Sequence, residues 1–186
     1  MPISLRAVEL LGCGLVPLNA KTPNCPMMLS THAMVGAAIG TFCPSQIGLA
    51  AVLGFCSHFV LDAIPHWDYP IRSGSLTPGR GLPIRFDRAL LEDLLTIGAD
   101  GLLGVAAAII LFGFSWSVLL GALSAILPDP LQLVHDRLPH EPLLALQRFH
   151  RWIHSDKRMN LLPFGITSQL VLIMSVVVLT RATHHF

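Results

Sequence analysis

Residues 46–68 read QIGLAAVLGFCSHFVLDAIPHWD. From Gln46 to Ile64 the run is apolar and about 19 residues long, so at 1.5 Å per residue a helix there nearly spans a bilayer. Pro65 ends it, because proline lacks an amide hydrogen and clashes with the preceding turn. His58 and Asp62 are four residues apart and therefore share one helix face. His66 and Asp68 follow directly after the proline. A lone carboxylate inside an apolar helix is costly, so Asp62 demands a partner. Nitrogen and oxygen donors this close suit a divalent metal, Zn²⁺ first and Mn²⁺ or Fe²⁺ after it. A His–Asp pair also serves as a ligand and the carboxylate that orients it. The plain alternative is a helix end followed by a polar loop.

Outward from this stretch the chain is a series of apolar segments. Ser30 to Phe42 is rich in small residues (Ala33, Gly36, Ala37, Ala38, Gly40), which permit close helix approach in a membrane. Thr31 is expected to cap a helix starting at His32, and Pro44-Ser45 marks the turn into the second segment. Residues 66–90 carry Pro70, Gly74, Pro78, Gly79, Gly81 and Pro83 and read as a loop. A third segment runs from near Leu90 to Phe114 and contains Glu92, Asp93 and Asp100. A fourth runs from Ser117 to Leu127 and stops at Pro128. Residues 129–160 are amphipathic, with a short helix expected from Pro142 to about Ser155 and with His135 and His140 in loops. Leu161 to Thr180, closed by Arg181, is the last apolar segment. The pattern predicts an all-α, polytopic helical membrane protein. It has two helical hairpins, a short amphipathic helix and a C-terminal transmembrane helix, all within residues 28–186. Residues 1–27 lack a periodic apolar face and are expected to be peripheral and dispensable. A buried helical core in a soluble oligomer is the structural alternative.

Composition agrees with the membrane reading. Hydrophobic residues make up 53% of the 186 residues and charged residues 12%, against roughly 25% charged in ordinary soluble domains. Mean hydropathy is +0.64. A formal net charge of +1 argues against a nucleic-acid partner. Cys13, Cys25, Cys43 and Cys56 form no CxxC pair, so a zinc ribbon is excluded on spacing.

If the first two segments turn at Pro44 and the next two near Ser115, the loop at 66–90 joins both hairpins on one side. His32, His58, Asp62, His66, Asp68, Asp93, Asp129, His150 and His154 then converge at one end of the bundle. His32, His58, Asp62, Asp93, Asp129, His150 and His154 are the candidate ligands for one or two ions. His66 and Asp68 are candidates for the catalytic base or for ligands. Asp100, two turns deeper than Asp93, is a candidate to orient a ligand. The same end holds Arg72, Arg80, Arg85, Arg88, Arg137, Arg148, Arg151, Lys157 and Arg158. An excess of Lys and Arg in short loops marks the cytoplasmic side of a membrane, so this end is expected to face the cytoplasm. Arg85, Arg88 and Arg151 are also candidates to contact a substrate phosphate.

The run His32-Ala33-Met34-Val35-Gly36, then His58, Asp62, Pro65-His66 and Asp68, then Gly121 and Leu127-Pro128-Asp129 resembles the YdjM-like (DUF457) bacterial membrane-bound metal-dependent hydrolases. The resemblance covers about residues 28–160, and a start just before the His-Ala motif fits Met28. Pro130 departs from the Asp-x-Asp pattern frequent in that family. A remoter likeness is to the all-helical zinc-dependent phospholipases C. The resemblance implies a helical membrane protein with metal-dependent hydrolase activity. Phosphoester hydrolysis is the expected chemistry. A site at the membrane surface favours membrane lipids or a lipid-linked substrate, which arrives by lateral diffusion. The rival readings are a metal-stabilised scaffold without turnover and an ion transporter using Asp62, Asp93 and Asp100.

Overall fold

A computed structural model describes residues 28–66, 87–138, 140–154 and 162–183. The expectations for residues 1–27, Asp68, Arg85 and most of the 66–90 loop lie outside the described residues. Among those described, the chain is all-helical: α1 (Leu29–Thr41), α2 (Ile47–Asp62), α3 (Arg88–Phe112), α4 (Trp116–Ile126), α5 (Pro128–Arg137), α6 (Leu143–Ile153) and α7 (Leu162–Thr183). α3 and residues 166–183 of α7 are each long and apolar enough to cross a membrane, whereas α2 is a shorter apolar helix.

The expected turns are present. α1 and α2 are joined through residues 42–46, and α3 and α4 through residues 113–115. Gly113 takes φ +78°, a backbone state glycine enters without penalty. Ser115 then caps α4 by accepting from the Val118 amide at 3.1 Å.

The hairpins do not simply lie side by side. α4 packs into the groove between α1 and α2, and α3 packs on another side of α1. The reason is the absence of side chains at the crossing. A Cβ on Gly36 of α1 would collide with the Gly121 carbonyl of α4, and one on Gly54 of α2 would meet the same carbonyl. Gly40 is similarly closed by the Ser117 backbone. Backbones this near one another gain many dispersion contacts. α1 thereby becomes the central helix, touching α2, α3, α4 and α7 and burying Ala33, Met34, Ala37 and Ala38.

Three local expectations need correction. α1 starts at Leu29, so Thr31 is inside its first turn. Its hydroxyl does not cap the helix but donates to Gln169 Oε1 of α7 at 3.1 Å. α3 starts earlier than expected, with Asp87 as its cap, accepting from the Leu90 amide at 3.0 Å. Residues 128–137, expected to be irregular, form α5. Pro128 occupies the first helical position, where its missing N–H costs nothing, and Asp129 follows in the first turn. His135 is therefore a buried helical residue and not part of a loop.

Candidate metal centre

Five histidines and two aspartates meet where the C-terminal end of α2, the α4–α5 junction and α6 come together. Near the end of α2 two polar side chains are buried on one face, His58 at 0% and Asp62 at 1% exposure. The ring of His58 is oriented from α4. The last four carbonyls of a helix have no partner within it, and one of them, Ala125 O, accepts from His58 Nδ1 at 2.9 Å. That fixes the tautomer and leaves the Nε2 lone pair facing inward.

Three acidic and basic groups surround that nitrogen. Asp62 Oδ2 lies 3.2 Å from His58 Nε2, Asp129 Oδ1 lies 3.5 Å from it, and His150 Nε2 lies 3.3 Å from it. His150 Nε2 is also 2.6 Å from Asp62 Oδ2. His58, Asp62, Asp129 and His150 each offer one ligand atom, all within 4.8 Å of one another. His32 joins from the second turn of α1. Its Nε2 is 3.3 Å from Asp62 Oδ1, and its ring stacks on His58 with centroids 4.2 Å apart.

α6 contributes His150 because its one buried face, Gln147 and His150, turns toward α2. Phe59 holds it there through edge contacts with Phe149 at 5.1 Å and His150 at 5.4 Å. A second group forms around the same carboxylate: Asp62, His66 and His154 also offer ligand atoms within 4.8 Å of one another. His66 Nδ1 donates to Ile64 O at 2.6 Å, which presents Nε2, and its ring meets His154 with centroids 5.0 Å apart.

The centre holds buried polar atoms without hydrogen bonds: His32 Nδ1 and Nε2, Asp62 Oδ1 and Asp129 Oδ2. Buried polar atoms are normally satisfied, because desolvation without a partner costs free energy. Two of the unsatisfied atoms are carboxylate oxygens, and one of them, Asp62 Oδ1, lies 3.3 Å from the equally unsatisfied His32 Nε2, so the desolvation of both is left uncompensated. A divalent cation compensates it, and imidazole with carboxylate is a donor set for Zn²⁺, Mn²⁺ or Fe²⁺. The residues present therefore fit a divalent ion.

Of the expected ligands, His32, His58, Asp62, Asp129, His150 and His154 are brought together around Asp62, and His66 joins them. Asp93 is buried on α3 but belongs to neither donor group. Asp100 accepts from the Ser30 amide at 2.9 Å, so it works on the α1 backbone rather than on a ligand side chain. Arg88 is exposed and paired with Glu92 at 2.8 Å, one turn along the α3 surface. Arg151 is exposed and donates to Gln147 O at 3.2 Å. Sequence reasoning missed Gln132, whose Nε2 donates to Asp129 Oδ1 at 3.3 Å and lies 3.3 Å from His150 Nδ1. Reading Pro128 as a helix start would have placed Gln132 on the Asp129 face, three residues on.

Compared with protein-family profiles, with curated proteins and with solved structures, the chain gives no significant match in any of the three.

Proposed function

We propose that this protein is a membrane-embedded, metal-dependent hydrolase that cleaves a phosphoester in a lipid or lipid-linked substrate, as its resemblance to the YdjM-like family implies. The observation that carries the proposal is the convergence of His58 Nε2, His150 Nε2, Asp62 and Asp129 within one ligand sphere, with unsatisfied carboxylate oxygens among them. The surroundings support a lipid setting. The helices turn apolar side chains outward, and polar groups are buried at the metal end: Leu102 and Ile110 of α3 and Val171 and Leu179 of α7 are exposed, while His32, His58, His66 and His150 are buried. An exposed apolar surface of this extent is what lipid contact stabilises. Arg148 and Arg151 of α6 and Arg88 of α3 lie toward the metal end, which favours a cytoplasmic orientation in a bacterial inner membrane.

When bound, the cation supplies Lewis acidity toward a phosphoryl oxygen and lowers the pKa of a coordinated water. The chain's own residues do the rest. Ala125 O orients the His58 ring, and Gln132 donates to Asp129 beside His150. The acidic pair Asp62 and Asp129 offsets the cation's charge. His32, His58, Asp62 and His150 are almost fully buried and so keep bulk water from the donor atoms. Overall, water oxygen bonds to phosphorus, the ester P–O bond breaks, and the departing oxygen takes the proton.

The four protein donors of the first group also suit a scaffold reading, since a structural zinc site is closed by four protein ligands. One experiment separates the two. Purified protein in detergent is assayed for bound metal and for products from a panel of phospholipids and prenyl phosphates. Metal-dependent product formation supports the hydrolase. Tightly bound metal with no product in any metal state favours the scaffold, and protein that neither carries nor takes up metal removes both.

A further inference from the structure

We infer that the site is dinuclear, with Asp62 as a bridging carboxylate between two divalent ions held by different histidines. The inference rests on the metal reading of the first group and adds a second ion, its ligands and the bridge. Two donor groups are present, and Asp62 is the only member they share among the described residues. The first draws on the α4–α5 junction and α6 through Asp129 and His150. The second draws on the segment after Pro65 and on the C-terminal cap of α6 through His66 and His154.

The two oxygens of Asp62 are used unequally. Oδ2 faces His150 Nε2 at 2.6 Å and His58 Nε2 at 3.2 Å. Oδ1 has no hydrogen bond and lies 3.3 Å from His32 Nε2. A carboxylate has one lone-pair set on each oxygen to give, so it can serve one ion with each. Asp62 therefore belongs to both donor groups, has Oδ2 engaged by His150 and His58, and keeps Oδ1 without a hydrogen bond, so one carboxylate can serve two ions. His66 is prepared for the second ion as His58 is for the first. Each gives its Nδ1–H to a backbone carbonyl, Ile64 O and Ala125 O respectively, and so presents Nε2. The two ions also differ in what they leave open. Four protein donors surround the first. Among the described residues three surround the second, the number of protein ligands found at zinc sites that keep a position for water or substrate.

The test is metal stoichiometry on the full chain in detergent, stripped with chelator, desalted and titrated with Zn²⁺. Two Zn²⁺ per chain are expected for wild type. One is expected for His154→Ala and for His66→Ala, with the milder His154→Gln as a check against misfolding. Loaded with Mn²⁺, wild type should give the broad resonance of an exchange-coupled pair, and His154→Ala the six-line spectrum of an isolated ion. One ion per chain in wild type, or two that persist in all three variants, overturns the dinuclear site while leaving the single-metal reading intact. No bound ion in wild type overturns both. The wild-type count and spectrum decide the matter even if every variant unfolds.

Discussion

The last turn of α2 and the middle of α3 each place a carboxylate in an apolar helix, yet the two are used differently. Asp62 is buried among His32, His58 and His150. Asp100, on a helix equally apolar, accepts from the Ser30 amide and so lies against the positive end of the α1 dipole. A buried acid needs a partner, and the molecule supplies two kinds: a cluster of imidazole nitrogens with which it can share a cation, or the amides of a helix start. The identity of the residue does not distinguish them. What faces it does.

Both arrangements depend on the seat of α1, because that helix carries His32 to Asp62 and Ser30 to Asp100. The largest effect should therefore come from neither carboxylate. Gly36→Val places side-chain atoms where the Gly121 carbonyl and Ala125 Cβ already lie, and overpacking of this kind costs about 1–3 kcal/mol or more. The variant should lose cooperative thermal unfolding in detergent and metal binding together; retention of both would show that α1 is not the element holding the two acids in place.

Next in size is Asp62→Asn, which keeps shape and removes the shared negative charge. Loss of groups that merely orient a ligand costs roughly 10–100-fold in metal affinity, so a shared ligand should cost more than about 100-fold in a chelator competition. Unchanged affinity would make the His–Asp cluster a hydrogen-bonded core and nothing more.

Smallest is Asp100→Asn. The amide oxygen still accepts from Ser30, and only the charge on the helix dipole is lost, about 0.5 kcal/mol. Thermal stability should fall slightly and metal content should not change. A fall in metal content as large as that of Asp62→Asn would erase the distinction between the two acids.

Much of the fold was legible from residue pattern. The apolar runs and their breaks at Pro44, Pro65 and Pro128 located α1, α2, α3, α4 and α7 to within a few residues, since proline and glycine act locally. α5 was hidden because residues 128–137 are polar on most sides and their helix is defined by its start, Pro128-Asp129, more than by an apolar face. Asp93 shows the limit in the other direction. Helical spacing set it near the His–Asp end, and the structure leaves it buried on α3 outside both donor groups, because a shared level along a bundle does not fix which side of a helix faces the centre.

The sequence by itself determined the helical, apolar character of the chain, the hairpin turns, and therefore that His32, Asp62, Asp129 and His150 share one end. These follow from backbone chemistry and from periods of 3.6 residues, both local properties. Only the tertiary structure decided that α4 rather than α3 fills the groove between α1 and α2, that Ala125 O aims His58, that Gln132 joins Asp129 and His150, and that Asp62 stands between two groups of histidines. Those depend on rotation of each helix about its own axis, which the glycine contacts at Gly36, Gly54 and Gly121 set through excluded volume between segments distant in the chain.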